Sequence, residues 1–182
     1  MLKKWLRKIV YRLRGEYAVE QLIHMGLKVG DNFNPQLGFE LDPSHCWLID
    51  IGDNVTFGPH VQILAHDAST YCELGYAKIG RVTIGDNVFI GAGSIVLPNV
   101  SIGNRVIIGA GSVVTKSIPD GMLAAGNPAT VIGTVDDYIK KHEKAMRTRP
   151  VYGSEYTLRE NISQQMKKQQ YCDLHDGVGY VK

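Results

Sequence analysis

A six-residue apolar period runs through the middle of the chain. From Ile84 the sequence reads IGDNVF, IGAGSI, VLPNVS, IGNRVI, IGAGSV and VTKSIP, and an aliphatic residue opens each unit (Ile84, Ile90, Val96, Ile102, Ile108, Val114). The fifth position of the first five units carries only small or β-branched residues (Val88, Ser94, Val100, Val106, Ser112). Six consecutive matches indicate an internal repeat. Two positions in six are therefore predicted to point into a core.

An earlier tract keeps the same phase. The segment IGDNVTFGPHVQILAHDA places Ile51, Phe57 and Ile63 on the repeating apolar position. Ile84 follows Ile63 by 21 residues, which is three hexads plus three, so the register is expected to break once, around residues 67–80. We expect a loop there that leaves the repeating scaffold, and such loops concentrate binding and catalytic residues.

The period favours short strands over helices. Residues at i and i+6 lie on nearly opposite faces of an α-helix, and the many glycines and β-branched residues disfavour that structure. Tight corners are predicted at Gly-Asp-Asn 52–54 and 85–87 and at Gly-Asn 103–104, because these residues tolerate left-handed backbone angles and their side chains can satisfy turn amides. Three strands would close one triangular coil, and stacked coils would bury an aliphatic column. The handedness of the coil does not follow from these residues.

The amino-terminal segment MLKKWLRKIVYRLR has apolar residues at helical spacing (Leu2, Trp5, Leu6, Ile9, Leu13), with its six basic residues mostly elsewhere. It predicts a basic amphipathic helix over residues 1–14. One interpretation is a cap or a subunit-packing helix with a solvated basic side. The alternative is peripheral contact with an anionic membrane surface.

The repeat stops after residue 133. Residues 135–147 and 158–171 have the polar, charged pattern of helices, separated by Pro150 and Gly153, and are predicted to be packing appendages. Close spacing of acidic and histidine residues near the end of the chain allows a metal site, but a flexible solvated end is the preferred interpretation (Asp173, His175, Asp176).

Composition narrows the class of protein. A chain of 182 residues with 44% hydrophobic content fits one globular domain. Its net charge is +2, and because six positive charges precede Glu16, the remainder carries about −4, which argues against a nucleic-acid partner. Three widely spaced cysteines and no apolar run of signal-peptide or membrane-spanning length favour the cytoplasm, with the inner face of the membrane as a second setting.

The stretch 84–132, above all IGAGSVVTKSIP followed by AAGNPATVIG, resembles hexapeptide acyltransferases of the maltose, galactoside and polysaccharide O-acetyltransferase group. The resemblance covers residues 29–133. It implies an all-β main domain, a left-handed parallel β-helix. With the helical patterns at either end, the chain is predicted to have a basic helical segment (1–28) before this domain and a helical extension (134–182) after it. It also implies acetyl-CoA as co-substrate, no required metal, and a homotrimer with active sites between subunits.

The function that the resemblance implies is acetyl transfer to a hydroxyl of a sugar or polysaccharide precursor. A histidine near the interrupting loop takes the hydroxyl proton in this family, and ILAHDAST places His66 at the matching position. Imidazole suits this step because alcohols are poor nucleophiles at neutral pH. Direct attack on the thioester needs no covalent enzyme intermediate. Asp67 is a candidate to orient His66, to contact the acceptor, or to cap the turn.

Further site residues follow from the same motifs. The family supplies a backbone amide to the developing oxyanion, here Ala92 in IGAGS. Matching cofactor contacts are Ala110, Thr115 and Lys116; Lys116 is a candidate partner for the CoA phosphates, and a solvated corner lysine is the alternative. Thr130, in GNPATVI, belongs to the predicted cofactor set but stands where the family commonly has Arg or Lys, so one phosphate contact is either missing or supplied elsewhere.

The segment DPSHCWLID is expected to lie where related enzymes contact the acceptor. His45 and Trp47 are the candidates, Trp47 because sugar faces stack on aromatic rings, and packing at the cap is the alternative. Asn34 and Asp42 are additional candidates for acceptor contacts.

Other functions are open on this scaffold. A γ-class carbonic anhydrase needs three histidines around zinc, and His60 with His66 makes a poor constellation for it. A purely structural β-helix is a second alternative. Among enzymes, the alternatives are N-acetylation of an amino- or nucleotide-sugar and O-acetylation of a xenobiotic.

Overall fold

The computed structural model describes residues 17–182, so the helix predicted for residues 1–14 lies outside the described residues. The chain divides into two compact units, the first ending at Val135 and the second comprising Asp136–Lys182. None of the described helices is long and apolar enough to cross a membrane.

The first unit is built from short strands joined by corners, most of them two or three residues long, with two longer strands at its end. In chain order they are β1 (Lys28–Val29), β2 (Asn34–Pro35), β3 (Glu40–Leu41), β4 (Ile49–Ile51), β5 (Thr56–Phe57), β6 (Gln62–Ile63), β7 (His66–Asp67), β8 (Lys78–Ile79), β9 (Val82–Ile84), β10 (Phe89–Ile90), β11 (Ile95–Val96), β12 (Ser101–Ile102), β13 (Ile107–Ile108), β14 (Val113–Val114), β15 (Met122–Gly126) and β16 (Ala129–Thr134). The repeat therefore forms strands and corners, as predicted.

Strands one coil apart pair in parallel and build three sheets. These are β1-β4-β9-β12, β2-β5-β10-β13-β15 and β3-β6-β11-β14, and β16 adds antiparallel to β15. From β1 to β6 and again from β9 to β14, successive strands belong to successive sheets, so the chain winds as a triangular parallel β-helix. We call the sheets A, B and C in that order.

One regular turn of the β-helix takes 18 residues, as the pairing of Thr83 with Ser101 shows. Two turns are longer: Asp31 and Asp53 are 22 residues apart, and Asp53 and Asp86 are 33 apart. The predicted loop accounts for the longer one. The expectation of a single break was incomplete, because a second insertion lies between β3 and β4, where the hexad pattern before Ile51 is too weak to reveal it.

The repeating apolar side chains form a dry column between the sheets. Phe57, Ile63, Ile90, Val96 and Ile108 have no exposed surface. Full burial of one such side chain stabilises the fold by roughly 1.5–3 kcal/mol. The alternate inward position is also buried, as predicted, and its serines are satisfied: the hydroxyls of Ser94 and Ser112 both donate to the carbonyl of Gly109.

The corners use left-handed backbone angles. Asn54 and Asn87 have φ of 55° and 57°, as the Gly-Asp-Asn segments predicted. In the third corner it is Arg105, and not Asn104, that takes the left-handed conformation, with φ of 53°. Asn104 instead aligns with Asp86 and accepts a hydrogen bond from its backbone N–H at 2.9 Å. An Asx oxygen thus links adjacent coils at this corner.

Helix α1 (Val19–His24) precedes the first coil and buries Leu22 against the core. Helix α2 (Tyr71–Leu74) lies in the long loop. At the last coil, β15 and β16 form an antiparallel hairpin in which Thr130 pairs with Ala125. The apolar column therefore meets structured segments at both ends.

The second unit is helical with one small sheet. Helix α3 spans Val135–Met146, helix α4 spans Gln164–Asp173, and β17 (Val151–Tyr152) pairs in parallel with β18 (Tyr180–Val181). The helix predicted for 158–171 begins later, because Ser163 accepts a hydrogen bond from the backbone of Met166 and sets the helix start.

The end of the chain departs from the expected flexible, solvated tail. Its last strand pairs with β17, the hydroxyl of Tyr152 donates to Asp173 at 2.9 Å, and Arg149 pairs with Asp176 at 3.2 Å. These carboxylates bind neighbouring side chains and do not converge with His175.

Candidate active site

The long insertion leaves the β-helix after β6, at the corner between sheets C and A. It forms an antiparallel hairpin in which His66 stands beside Ile79, with a short 3-10 helix at Ala68–Thr70 and then α2. The loop returns where the backbone N–H of Gly80 donates to the carbonyl of Ala65 at 2.9 Å. His66 is thus held on paired backbone directly beside the rigid coil.

Asp42 fixes the ring of His66. Its Oδ2 atom lies 2.5 Å from Nδ1 of His66 and accepts the backbone N–H of Ala65 at 3.0 Å, while Oδ1 accepts the N–H of Ser44 at 3.0 Å. The Asp42 side chain is fully buried, whereas 35% of the His66 side chain is exposed. Burial by itself raises the pKa of Asp42, but the hydrogen bonds from His66 and Ala65 outweigh it and hold this pKa below its usual value of 3.8.

Asp67 is engaged within the loop. Its carboxylate lies 2.6 Å from Nζ of Lys78 and accepts the N–H of Ser69 at 2.8 Å. The hydrogen bond from Lys78, followed by those from Ser69, lowers the pKa of Asp67 to about 2. Of the roles considered for Asp67, the geometry is that of a turn cap, and Asp42 is the carboxylate that holds His66.

The shorter insertion places two aromatic rings beside this pair. His45 and Trp47 belong to the turn that contains the 3-10 helix Cys46–Leu48. The ring of His45 lies 5.3 Å from that of His66 and 5.2 Å from that of Trp47, measured between centroids. Half of Trp47 is exposed, whereas Nδ1 of His45 is buried and has no hydrogen-bond partner among residues 17–182. The two insertions therefore meet at one corner.

The predicted cofactor residues are exposed but lie at different places. Thr115 and Lys116 follow β14, at the same corner as His66 and two coils further along sheet C. Ala92 and Ala110 stack on one another at the opposite corner of sheet C, where the N–H of Gly111 donates to the carbonyl of Ala92 at 2.8 Å. Within one chain, Ala92 and His66 are separated by a full side of the triangle.

Sequence reasoning missed the role of Asp42, which it considered only as an acceptor contact. Leu41 is the register partner of Ile63, so Asp42 lies beside the point where the long loop leaves the next coil. Aligning the first coil with the second would have placed Asp42 beside His66. The insertion between β3 and β4 hid this alignment, because it makes the spacing between the two coils irregular. His60, weighed with His66 as a metal ligand, lies at the other corner; His45 is the neighbouring histidine instead.

The chain is similar to known acyltransferases. A family model for bacterial transferase hexapeptide (six repeats) matches residues 81–116. Protein CapG of Staphylococcus aureus is 35% identical over 171 residues, which cover 90% of this chain and 91% of that protein. For two further curated relatives the chain spans 54% of their length.

Solved structures give the same result for the β-helix. A maltose O-acetyltransferase from Clostridium difficile superposes with a TM-score of 0.54 at 43% identity, over 60% of this chain and 59% of that one. A hexapeptide-repeat acetyltransferase from Vibrio cholerae, complexed with acetyl coenzyme A, has a TM-score of 0.53 at 27% identity, over 60% of each chain. With CapG covered nearly end to end and the repeat model matching the regular coils, the chain belongs to the hexapeptide-repeat acyltransferase family.

Proposed function

We propose that this protein is an acetyl-CoA-dependent O-acetyltransferase that acetylates a hydroxyl of a sugar or polysaccharide precursor, with His66 as the general base. The observation that carries the proposal is the pair of buried Asp42 and half-exposed His66 at the loop corner of a hexapeptide β-helix.

The pairing determines which nitrogen of the imidazole acts. An ionised carboxylate is only an acceptor, so Asp42 selects the tautomer in which Nδ1 of His66 carries the proton and Nε2 carries the lone pair. Nε2 takes the proton of the acceptor hydroxyl as its oxygen attacks the thioester carbonyl carbon. The tetrahedral intermediate then collapses, the carbon–sulfur bond breaks, and the imidazolium returns the proton to the CoA thiolate. Asp42 remains ionised and stabilises the imidazolium.

Acetyl-CoA is the proposed donor because the hexapeptide coils and the AGNPA hairpin resemble enzymes of this group, and the Vibrio cholerae neighbour was crystallised with it. We assign Lys116 and Thr115 to the cofactor on the His66 corner. Ala92 lies across sheet C from His66 in the same chain. A second copy of the protein must therefore supply the remaining cofactor residues to this site (Ala92, Ala110, Thr130). This separation supports a homotrimer of left-handed β-helices with shared sites.

Sugar is the proposed acceptor class. The half-exposed indole of Trp47 contacts the ring of His45, which in turn contacts the ring of His66. A sugar face stacked on this indole would have one of its hydroxyls near the proposed base. The similar Clostridium difficile protein is described as a maltose O-acetyltransferase. Residues 29–133 are the proposed catalytic domain, and membrane contact through residues 1–14 stays a prediction.

The test compares wild type, His66→Ala and His60→Asn with acetyl-CoA and a panel of sugars, glycans, amino-sugars and antibiotics, following release of free thiol. His60 is a matched control because it is an exposed corner histidine with φ of 60°, a conformation that asparagine tolerates. We expect His66→Ala to lose turnover but to keep acetyl-CoA binding, and His60→Asn to keep both. Turnover by His66→Ala at the wild-type rate would refute the mechanism, and exclusive use of amine acceptors would refute O-acetylation.

A further inference from the structure

We propose that Asp42, His45 and His66 form a binding site for a divalent transition metal ion, with Zn²⁺ as the best match, and that an ion bound there switches off the base. The metal site rests on the geometry alone. The inhibitory effect rests on the proposed function of His66.

Possible metal ligands from three residues lie close together. Each of the three residues offers one ligand atom, and these atoms all lie within 4.8 Å of one another. Among residues 17–182 no other group of three or more His, Cys, Asp or Glu side chains meets this criterion. Ligands about 2.0–2.1 Å from a tetrahedral Zn²⁺ lie roughly 3.4 Å from one another. Asp42 and His66, now 2.5 Å apart, must separate slightly and His45 must approach. The exposed side of the His66 ring leaves it room to rotate.

The donor set matches zinc better than the hard cations. Two imidazoles and one carboxylate are borderline-soft and hard ligands that Zn²⁺ accepts together, whereas Mg²⁺ and Ca²⁺ prefer oxygen alone. Three protein ligands leave the fourth position to water or substrate, and the exposed side of His66 opens to solvent.

An independent observation points to a missing partner. Nδ1 of His45 is buried without a hydrogen-bond partner among the described residues, although buried polar atoms are usually paired. The packing of His45 against His66 and Trp47 supplies ring contacts but no polar group for that nitrogen. A metal ion in the cluster gives the His45 ring a polar contact that the protein itself does not.

Coordination and catalysis compete for the same ring. If the ion binds Nε2 of His66, it occupies the lone pair that would accept the hydroxyl proton. If it binds Nδ1, the ring proton moves to Nε2, which then can only donate. Either geometry stops proton transfer, so Zn²⁺ is expected to inhibit and a chelator to restore activity.

The binding test uses the full chain titrated with ZnCl₂ by calorimetry, with MgCl₂ as the hard-cation control. Exposed Cys72 and Cys172 are changed to serine throughout, since free thiols bind zinc. We expect one Zn²⁺ site per chain, and a loss of affinity of at least roughly tenfold in Asp42→Asn, His45→Ala and His66→Ala. The exposed-histidine control His60→Asn is expected to keep the affinity of the parent.

Substitution with Co²⁺ adds a spectroscopic measurement, because its visible absorption reports the ligand geometry and is expected to vanish in His45→Ala. His45→Asn serves the same purpose if the alanine variant does not fold. Zinc affinity retained in a folded His45 variant, or lost equally in His60→Asn, would overturn the site. Equal affinity for Mg²⁺ would overturn the zinc assignment.

The activity test separates the two proposals. Zinc binding that needs the triad, without acetyl transfer to any acceptor, supports the metal site while the proposed function fails. Acetyl transfer without zinc binding supports the function and overturns the metal site. Transfer that zinc leaves unchanged, or that EDTA abolishes, overturns the inhibitory role.

Discussion

Asp42→Asn is the sharpest test of how the site works. The substitution keeps the size of the side chain but replaces one acceptor oxygen by an NH₂ donor. Oδ2 now serves both His66 and Ala65, and Oδ1 serves Ser44, so an amide cannot satisfy all three donors. With the NH₂ group toward His66, the ring must place its lone pair on Nδ1, and Nε2 becomes a donor unable to take the acceptor proton.

The size of the effect follows from the bond that is lost. A hydrogen bond to a charged group contributes about 1.5–3 kcal/mol. If that contribution stabilises the productive tautomer and the imidazolium of the transition state, kcat falls roughly 10- to 150-fold. Because Asp42 does not touch the cofactor in this assignment, the KM for acetyl-CoA is expected to stay near the wild-type value. One unpaired backbone N–H also lowers the free energy of unfolding by about 1–3 kcal/mol.

Steady-state thiol release at several acetyl-CoA concentrations separates kcat from KM, and urea unfolding confirms that the variant is folded under assay conditions. Asp67→Asn is the matched control, because it removes a negative charge next to His66 in sequence but leaves the bond between Asp42 and His66 intact. A folded Asp42→Asn with wild-type kcat would refute the reasoning. So would a loss of kcat as large in Asp67→Asn, because the effect would then be one of charge.

Three other predictions test the fold and the cofactor assignment. The native pKa of Asp42 is lowered, so the stabilisation that its carboxylate gives is complete above the unfolded value of 3.8 and is lost as pH falls through the native pKa. Urea unfolding is therefore expected to show that lowering the pH from about 5 to about 2.5 reduces the free energy of unfolding more in wild type than in Asp42→Asn. Ile90→Ala, at a fully buried position, is expected to lower the free energy of unfolding by about 2–5 kcal/mol, whereas Ile132→Ala, at an exposed position, should change it little. Gly91→Ala is expected to lower it by about 1–3 kcal/mol, because the added Cβ would overlap the backbone of the next coil. Equal stability of these variants in denaturant unfolding would contradict the stacked core. Lys116→Ala should raise the KM for acetyl-CoA by up to about fivefold at unchanged kcat, and a normal KM would remove Lys116 from the cofactor site.

The apolar repeat was sufficient to predict the β-helix because the residues that determine each strand and corner lie within one hexad. Each hexad carries its own strand, its own corner and its own inward residues, so Ile84, Val88 and Asn87 have the same roles as their counterparts in later units. The prediction weakened where a corner used another residue type, as at Arg105, because several residues tolerate the left-handed angle when coil stacking holds them there.

The sequence also placed His66 at the loop junction, and the family resemblance gave it a role. The partner of His66 was not predictable in the same way. Asp42 lies 24 residues earlier and meets His66 only because the first coil stacks under the second. Asp67, adjacent in sequence, points its carboxylate to Lys78 on the other strand of the hairpin.

The sequence by itself therefore determined the repeating unit, the buried column and the position of the loop, since these depend on contacts within one hexad or between equivalent hexads. Only the tertiary structure decided which carboxylate binds His66, that His45 joins the pair, and that Ala92 lies at a different corner. The physical reason is that insertions of irregular length set which coil residues come together, and the offset between coils is fixed by stacking and not by spacing along the chain.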